Sequence, residues 1–379
     1  MPVAGSSSAS GRPSRTELIL TLVNAVDAAD MALLPGIFRV LEMDFAVSPK
    51  QLGSMVLVQN VLKSAATIFW GFVADRLSRK QLLARACLAW GALTLAIAIC
   101  TSFTALAALR VLSVAVLAVM MPLSQGMLSD MIAPARRGSA FGRLGFWSNL
   151  GAMAGGALST ALSSVIILGA FRGWRLSFGL VGVCSLLLVP VIRARVVEPP
   201  RPGRPGSTEA VGLGVGQSLG VAATLRVIFS KPTFALLVLQ GLFGEMPWVA
   251  FGTFSTLFLQ YAGLSDSEVA LLFVLRSVGG AAGTLFGGWF GDYMHARYPD
   301  HGRVFVAQMT VFLGIPAMVT VLHAIPQDAS SFWLYAVALF AFGFVAVWTP
   351  PATNRPILCE ICAPELRASI LGTWVGKAP

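Results

Sequence analysis

The sequence predicts an all-α integral membrane protein with about ten spanning helices arranged as two pseudo-symmetric helical bundles. Three observations carry that expectation. The chain has 379 residues, of which 56% are hydrophobic and only 12% charged, with a mean hydropathy of +0.77; a soluble domain carries about 25% charged residues. Its apolar residues fall into blocks of roughly 20, the length at which a helix crosses about 30 Å of hydrocarbon. Lys and Arg collect between alternate blocks, as the positive-inside rule requires of a multi-pass chain.

The blocks run approximately over 18–40, 52–74, 82–101, 104–127, 141–162, 174–192, 234–259, 269–291, 304–325 and 332–351. An eleventh begins near Ala368 and breaks off at Pro379, so a C-terminally truncated bundle is expected. None has the alternation over about ten residues that marks a membrane β-strand. Small residues recur at helix-packing intervals instead: Gly151, Gly155 and Gly156 in the fifth block, and Gly279, Gly280, Gly283, Gly287 and Gly288 in the eighth. Such spacings let two backbones approach closely, and hinge motion is the alternative reading of the same glycines.

Residues 1–17, with Ser6, Ser7, Ser8, Ser10, Gly11 and Pro13, read as a flexible cytosolic tail without a cleavable signal. With the N-terminus inside, nineteen of the 27 Lys and Arg residues fall on cytosolic segments and four on the opposite side. The longest connection, 194–231, holds Pro199, Pro200, Pro202 and Pro205, then Gly212, Gly214 and Gly216, and reads as a linker. It separates a six-helix bundle at 18–193 from an incomplete bundle at 232–379.

The net charge of +10 does not imply a nucleic-acid partner, because the basic residues lie between apolar blocks and form no single face. Cys87, Cys100 and Cys184 sit inside apolar runs; Cys359 and Cys362 form a C-x-x-C with no second ligand pair, and no metal or other cofactor is expected. His295, His301 and His323 lack metal spacing, no nucleophile stands near a base, and there is no phosphate-binding glycine loop. An enzyme and a direct ATP-driven pump are both disfavoured.

An internal repeat supports duplicated halves. Gly71 and Asp75 close the second block; Gly288 and Asp292 close the second block of the second half with the same spacing, 217 positions later. The run Gly71-Phe72-Val73-Ala74-Asp75-Arg76-Leu77-Ser78-Arg79-Lys80 resembles the G-x-x-x-D-R-x-x-R-K loop of the major facilitator superfamily at every defining position. That resemblance implies a carrier of two six-helix bundles rocking about a central site, with Gly71, Asp75, Arg76, Arg79, Lys80, Gly288 and Asp292 in the loops that gate it; enforcing inside placement is the alternative role of Arg76, Arg79 and Lys80.

Further stretches resemble the spinster-like branch of that superfamily and its plant, algal and protist relatives: Asn24 to Asp27 with Leu33-Leu34-Pro35, Pro122 to Asp130 with Arg136-Arg137-Gly138, Gly173-Trp174-Arg175, Gly244 to Trp248, Pro299 to Arg303, and Asn354 to Ile357. Ala28 replaces the branch's Arg after Asp27. Of its fourth-helix pattern only Arg110 and Ala118 remain, with Val114, Val116 and Leu117 in place of two glycines and an acid. Proton-coupled lipid export therefore does not carry over with the resemblance.

An ionisable residue at the bilayer centre costs about 2.5 kcal/mol or more and turns toward a partner or cavity. At about 1.5 Å per residue, Asp30, Lys63 and Glu245 lie roughly 17–20 Å from the cytosolic ends of their blocks, with Arg110 at a comparable level. Asp27 and Asp30, three apart, share a helix face, so either can pair with Lys63 or Arg110. One acid is a candidate protonation site and Arg110 a candidate for tuning it or binding an anionic group; a static ion pair is the alternative. Glu245, followed by Pro247, is a candidate cavity-lining or ion-binding residue, with Asn149, Gln59, Gln240 and Trp248 as further lining candidates. Arg276 is expected to snorkel toward the outer face. The expected activity is secondary transport of a small organic or lipid-like molecule, with a coupling proton and membrane lipid as further partners. A non-transporting receptor derived from a carrier is the rival.

Overall fold

The computed structural model describes residues 14–132, 137–167, 171–198, 232–244, 246–354 and 357. All ten apolar blocks are helical where described. The first comprises α1 (Arg15–Gly36), which carries Pro35 in its last turn, and a short continuation α2 (Phe38–Phe45). Then follow α3 (Pro49–Arg76) and α4 (Arg79–Ile99). The fourth block divides into α5 (Phe103–Leu117) and α6 (Met120–Met131). α7 (Arg137–Leu162) and α8 (Gly173–Arg195) are joined through a two-residue antiparallel ladder pairing Ile166 with Arg172 and Ile167 with Phe171.

The seventh block is α9 (Pro232–Gly244) and α10 (Met246–Tyr261). α11 (Asp266–Arg297), α12 (Gly302–Val319), extended by a π turn over Thr320–Ala324, and α13 (Phe332–Ala346) complete the described helices. Seven helical stretches among the described residues are long and apolar enough to cross a membrane. The segment expected to open an eleventh span lies outside the described residues.

Serine starts many of these helices. Ser14, Ser48, Ser78, Ser102 and Ser265 each accept a hydrogen bond from the main-chain N–H three residues on, supplying a partner the helix itself lacks. At Ser48 and Ser265 the cap is reciprocal, with Gln51 and Glu268 reaching back to the serine's own N–H. Side chains such as Leu57, Leu285, Trp333 and Val337 stand largely bare on the outer surface, where hydrocarbon in place of water makes their exposure favourable.

Glycine seams set the helix pairs. A Cβ on Gly151 would lie 2.0 Å from the carbonyl oxygen of Ala25, and one on Gly155 2.4 Å from that of Ala29, so α7 lies backbone to backbone against α1. α11 meets α13 likewise: a Cβ on Gly283 would come within 2.0 Å of the Phe344 carbonyl. Gly288 is different, with open space around it, so this member of the repeat takes no part in that seam.

One buried apolar cluster runs through α1 to α6 and α8 around Trp90, Trp174 and Phe178 and takes in Leu257 of α10; another joins α10, α11 and α13 around Tyr335 and Phe342. The two halves meet where α7 lies against α11, with Phe273 filling the space in front of Gly156, and where α10 lies against α1 and α2.

Candidate functional site

Helix α1 brings Asp30 to the centre of the first half, and α5 brings Arg110 to the same place. Both are fully buried. Nη1 of Arg110 donates to Asp30 Oδ2, Nη2 donates 2.9 Å to the main-chain oxygen of Asp30, and Nε donates 3.1 Å to Oε1 of Gln59 on α3. Thr94 of α4 donates to Asp30 Oδ1 at 3.5 Å, and the Phe178 ring of α8 lies 5.8 Å from the guanidinium carbon. Five helices are tied through one ion pair. Of the four pairings open from the sequence, the structure forms Asp30 with Arg110.

Asp27, one turn earlier on α1, is left over. Its Oδ1 is buried without a hydrogen-bond partner among the described residues, although the charges of Lys63, Arg110 and Asp30 all act on it. Lys63 makes no ion pair among the described residues, and its carbonyl accepts from Thr67 within α3.

Above this pair, a cavity of about 350 Å³ separates the halves. Met31, Leu34 and Pro35 of α1, Gln59 and Asn60 of α3, Arg110, and Trp248, Val249, Gly252 and Thr253 of α10 line it. Trp248 is a wall residue, held by Phe342 at 5.5 Å between ring centres. Asn149, expected at the lining, is instead exposed on α7 and does not border this cavity: the seam glycines Gly151 and Gly155 turn that face of α7 onto α1 and carry Asn149 round to another. Glu245 lies outside the described residues. Gln240 is exposed on α9 and is likewise absent from the wall.

Arg276 overturns its expectation. It sits ten residues into α11, about 15 Å along the helix, and its guanidinium points sideways at α10: a Cβ on Gly252 would lie 4.0 Å from Nη1. It stacks over Phe273 at 5.1 Å and has no carboxylate partner among the described residues. The small residues on the facing side of α10 hold it inside where a bulky face would have pushed it outward.

Polar contacts between the halves gather, among the described residues, at the end where α1 stops and α11 starts. Arg39 donates 2.7 Å to the Gln260 carbonyl, and Tyr261 donates to Glu42. Asp266 accepts from Ser163 at 2.9 Å, from Ser164, and from Gln260 at 2.7 Å. Beside this clasp, Asp44 is bound 2.6 Å from Arg172 Nε and accepts 3.0 Å from the Trp174 indole, which gives the Gly-Trp-Arg stretch its role in closing the first bundle.

At the opposite end is the loop that the sequence marks as a candidate gate, between α3 and α4. Gly71, Asp75 and Arg76 form the last turns of α3, and Arg79 and Lys80 the first turn of α4, while the side chains of the first three lie outside the description. A residue the sequence reading passed over holds this corner. Glu198, beyond the end of α8, accepts from Ser78 Oγ at 2.5 Å and from the Arg79 N–H at 2.8 Å, capping α4. Its signal was available, as a lone acid amid Pro and Arg directly after a span. Glu17 of α1 binds Arg143 of α7 at the same end, with Nε at 3.0 Å. In the second half Asp292, largely exposed, stands 3.6 Å from Arg303.

The Major Facilitator Superfamily model matches residues 20–375. The chain belongs to that superfamily. Its members among the similar proteins include the 3-(3-hydroxy-phenyl)propionate transporter of Escherichia coli, 25% identical over 346 residues that make up 88% of this chain and 74% of the relative. The niacin transporter NiaP of Acinetobacter baylyi is 30% identical over 173 residues, 45% of this chain and 38% of that protein. Among solved structures, a bacterial homologue of the human lysosomal transporter Spinster, inward-facing and unoccupied, superposes with a TM-score of 0.76 at 21% identity, covering 97% of this chain and 80% of its own. The fold expected from the gating loop is therefore present, and this superfamily member is a multi-pass membrane transporter by family.

Proposed function

We propose that this chain is a secondary carrier that moves a small organic solute between the two sides of the membrane by alternating access. The observation that carries the reading is the cavity between the halves, lined by Arg110 and Trp248 and lying beneath the Arg39–Gln260 and Ser163–Asp266 clasp. A clasp that lies, among the described residues, at one end is what a carrier caught open to its other side requires. With the basic segments cytosolic, the clasped end faces outward, the N-terminus lies inside, and the bundles 18–193 and 232–379 pivot about the linker 194–231.

Asp27 is the proton-coupling residue in this reading, because Arg110 already satisfies Asp30 while Asp27 keeps an unpartnered oxygen. Two relatives are named for aromatic carboxylates, 3-(3-hydroxy-phenyl)propionate and niacin, and an indole wall with cationic neighbours suits such a solute better than a lipid. The test is uptake into proteoliposomes holding the purified chain, using labelled aromatic acids, sugars and nucleosides with and without an inward proton gradient. Saturable uptake of one class is expected. A chain that binds solutes but never accumulates or exchanges them refutes the carrier reading and leaves a receptor.

A further inference from the structure

We infer that Arg276 is the anion seat of the central cavity and holds the carboxylate of an organic acid through the opening left by Gly252; the inference rests on the carrier reading and names its solute class.

Two arginines approach the cavity from the two halves, and they are in opposite states. Arg110 has its charge neutralised by Asp30 and its other donors taken by the Asp30 carbonyl and Gln59. It has little left for a ligand. Arg276 has no carboxylate partner among the described residues and is steadied only by the Phe273 ring. A half-buried guanidinium in this condition is a preformed receptor for a carboxylate, whose two oxygens match its parallel N–H donors.

Position makes the receptor reachable. Gly252 forms part of the cavity wall, and Arg276 Nη1 stands behind it, 4.0 Å from the place that a Cβ on Gly252 would take. Arg276 itself lines a void of about 10 Å³ with Ser255 and Thr256, near the size of one water, leaving a little room for adjustment. Trp248, one turn before Gly252 on α10, gives the rest of the solute an aromatic face. An acid with a flat apolar body would thus bridge the indole and the guanidinium, both supplied by the second half.

A structural role makes a different prediction. If the Phe273 stack were the purpose of Arg276, removing the charge would loosen α10 against α11. If the charge awaits a ligand, removing it relieves a half-buried cation that has no carboxylate partner among the described residues.

The test is ligand binding to the full chain in lipid nanodiscs, followed by tryptophan fluorescence, with 3-phenylpropionate as probe and its uncharged amide as comparison. The expected result is at least tenfold tighter binding of the acid, lost in Arg276→Gln and, with the arginine intact, in Gly252→Leu, which closes the opening. Arg276→Lys should keep part of the preference. The melting temperature of Arg276→Gln should equal or exceed that of the parent. Equal binding of acid and amide, no binding of either, or an undiminished preference in Arg276→Gln overturns the inference. Uptake by proteoliposomes reports separately on whether the chain is a carrier.

Discussion

Arg110 grips Asp30 twice, by its carboxylate and by its main-chain carbonyl, so that the side chain of α5 is fastened to the backbone of α1 as well as to its charge. A buried pair with this geometry contributes little net energy compared with apolar packing, but losing one partner strands the other. Asp30→Asn and Arg110→Gln should each cost about 3–5 kcal/mol, read as lost monodisperse protein and a lower melting temperature in detergent. The double variant Asp30→Asn/Arg110→Gln should recover part of that loss. Equal stability for either single variant and the parent would remove the pair from the structural account.

Asp27 separates from Asp30 on the same reasoning. Its unpartnered oxygen has no structural bond to lose, so Asp27→Asn should fold as the parent does. In the transport assay it should abolish stimulation by a proton gradient while leaving solute exchange between equal concentrations intact. Retained stimulation in Asp27→Asn would move coupling to another residue.

The clasp between the halves converges on Asp266, which holds Ser163 and Ser164 of the first half and Gln260 of its own. Asp266→Ala removes all three bonds from one end of a two-state balance. A loss of about 1.4 kcal/mol shifts such a balance tenfold. The measurement is labelling of a cysteine placed at Thr253, in the cavity wall, by an impermeant reagent added to the outside of cells. Labelling should rise about tenfold in the Asp266→Ala background, and an unchanged rate would show that the clasp does not hold the outer end shut.

What was readable in the sequence follows from which forces act locally. Span length and the positive-inside bias are properties of single segments, and each of the ten blocks is helical where described. The Gly71–Lys80 motif is a contiguous string, and it pointed to the superfamily that residues 20–375 match. That an acid of α1 would meet Arg110 was also legible, since burial of charge demands it. Choosing Asp30 over Asp27 depended on the rotation of α1, which the Gly151 and Gly155 seam sets from another helix. The same rotation carries Asn149 away from the cavity. Arg276 was misplaced because the glycine that admits it is on α10, and Glu198 was overlooked because its partners, Ser78 and Arg79, are more than a hundred residues earlier.

The glycines give the sharpest contrast between pattern and position. Gly151 and Gly288 both belong to small-residue series, yet a Cβ on Gly151 would sit 2.0 Å from the Ala25 carbonyl oxygen, whereas one on Gly288 meets nothing within 4 Å. A backbone oxygen cannot rotate aside, so Gly151→Ala must part α7 from α1 and should cost about 1–3 kcal/mol or more through overpacking. That displacement also reaches Asp27 and Asp30, which share α1 with Ala25. Gly288→Ala should be neutral or slightly stabilising, because alanine is favoured over glycine in a helix by about 1 kcal/mol. Thermal unfolding of the two variants in parallel is the comparison, and a Gly151→Ala protein that melts with the Gly288→Ala protein would mean the α1–α7 seam is looser than its geometry.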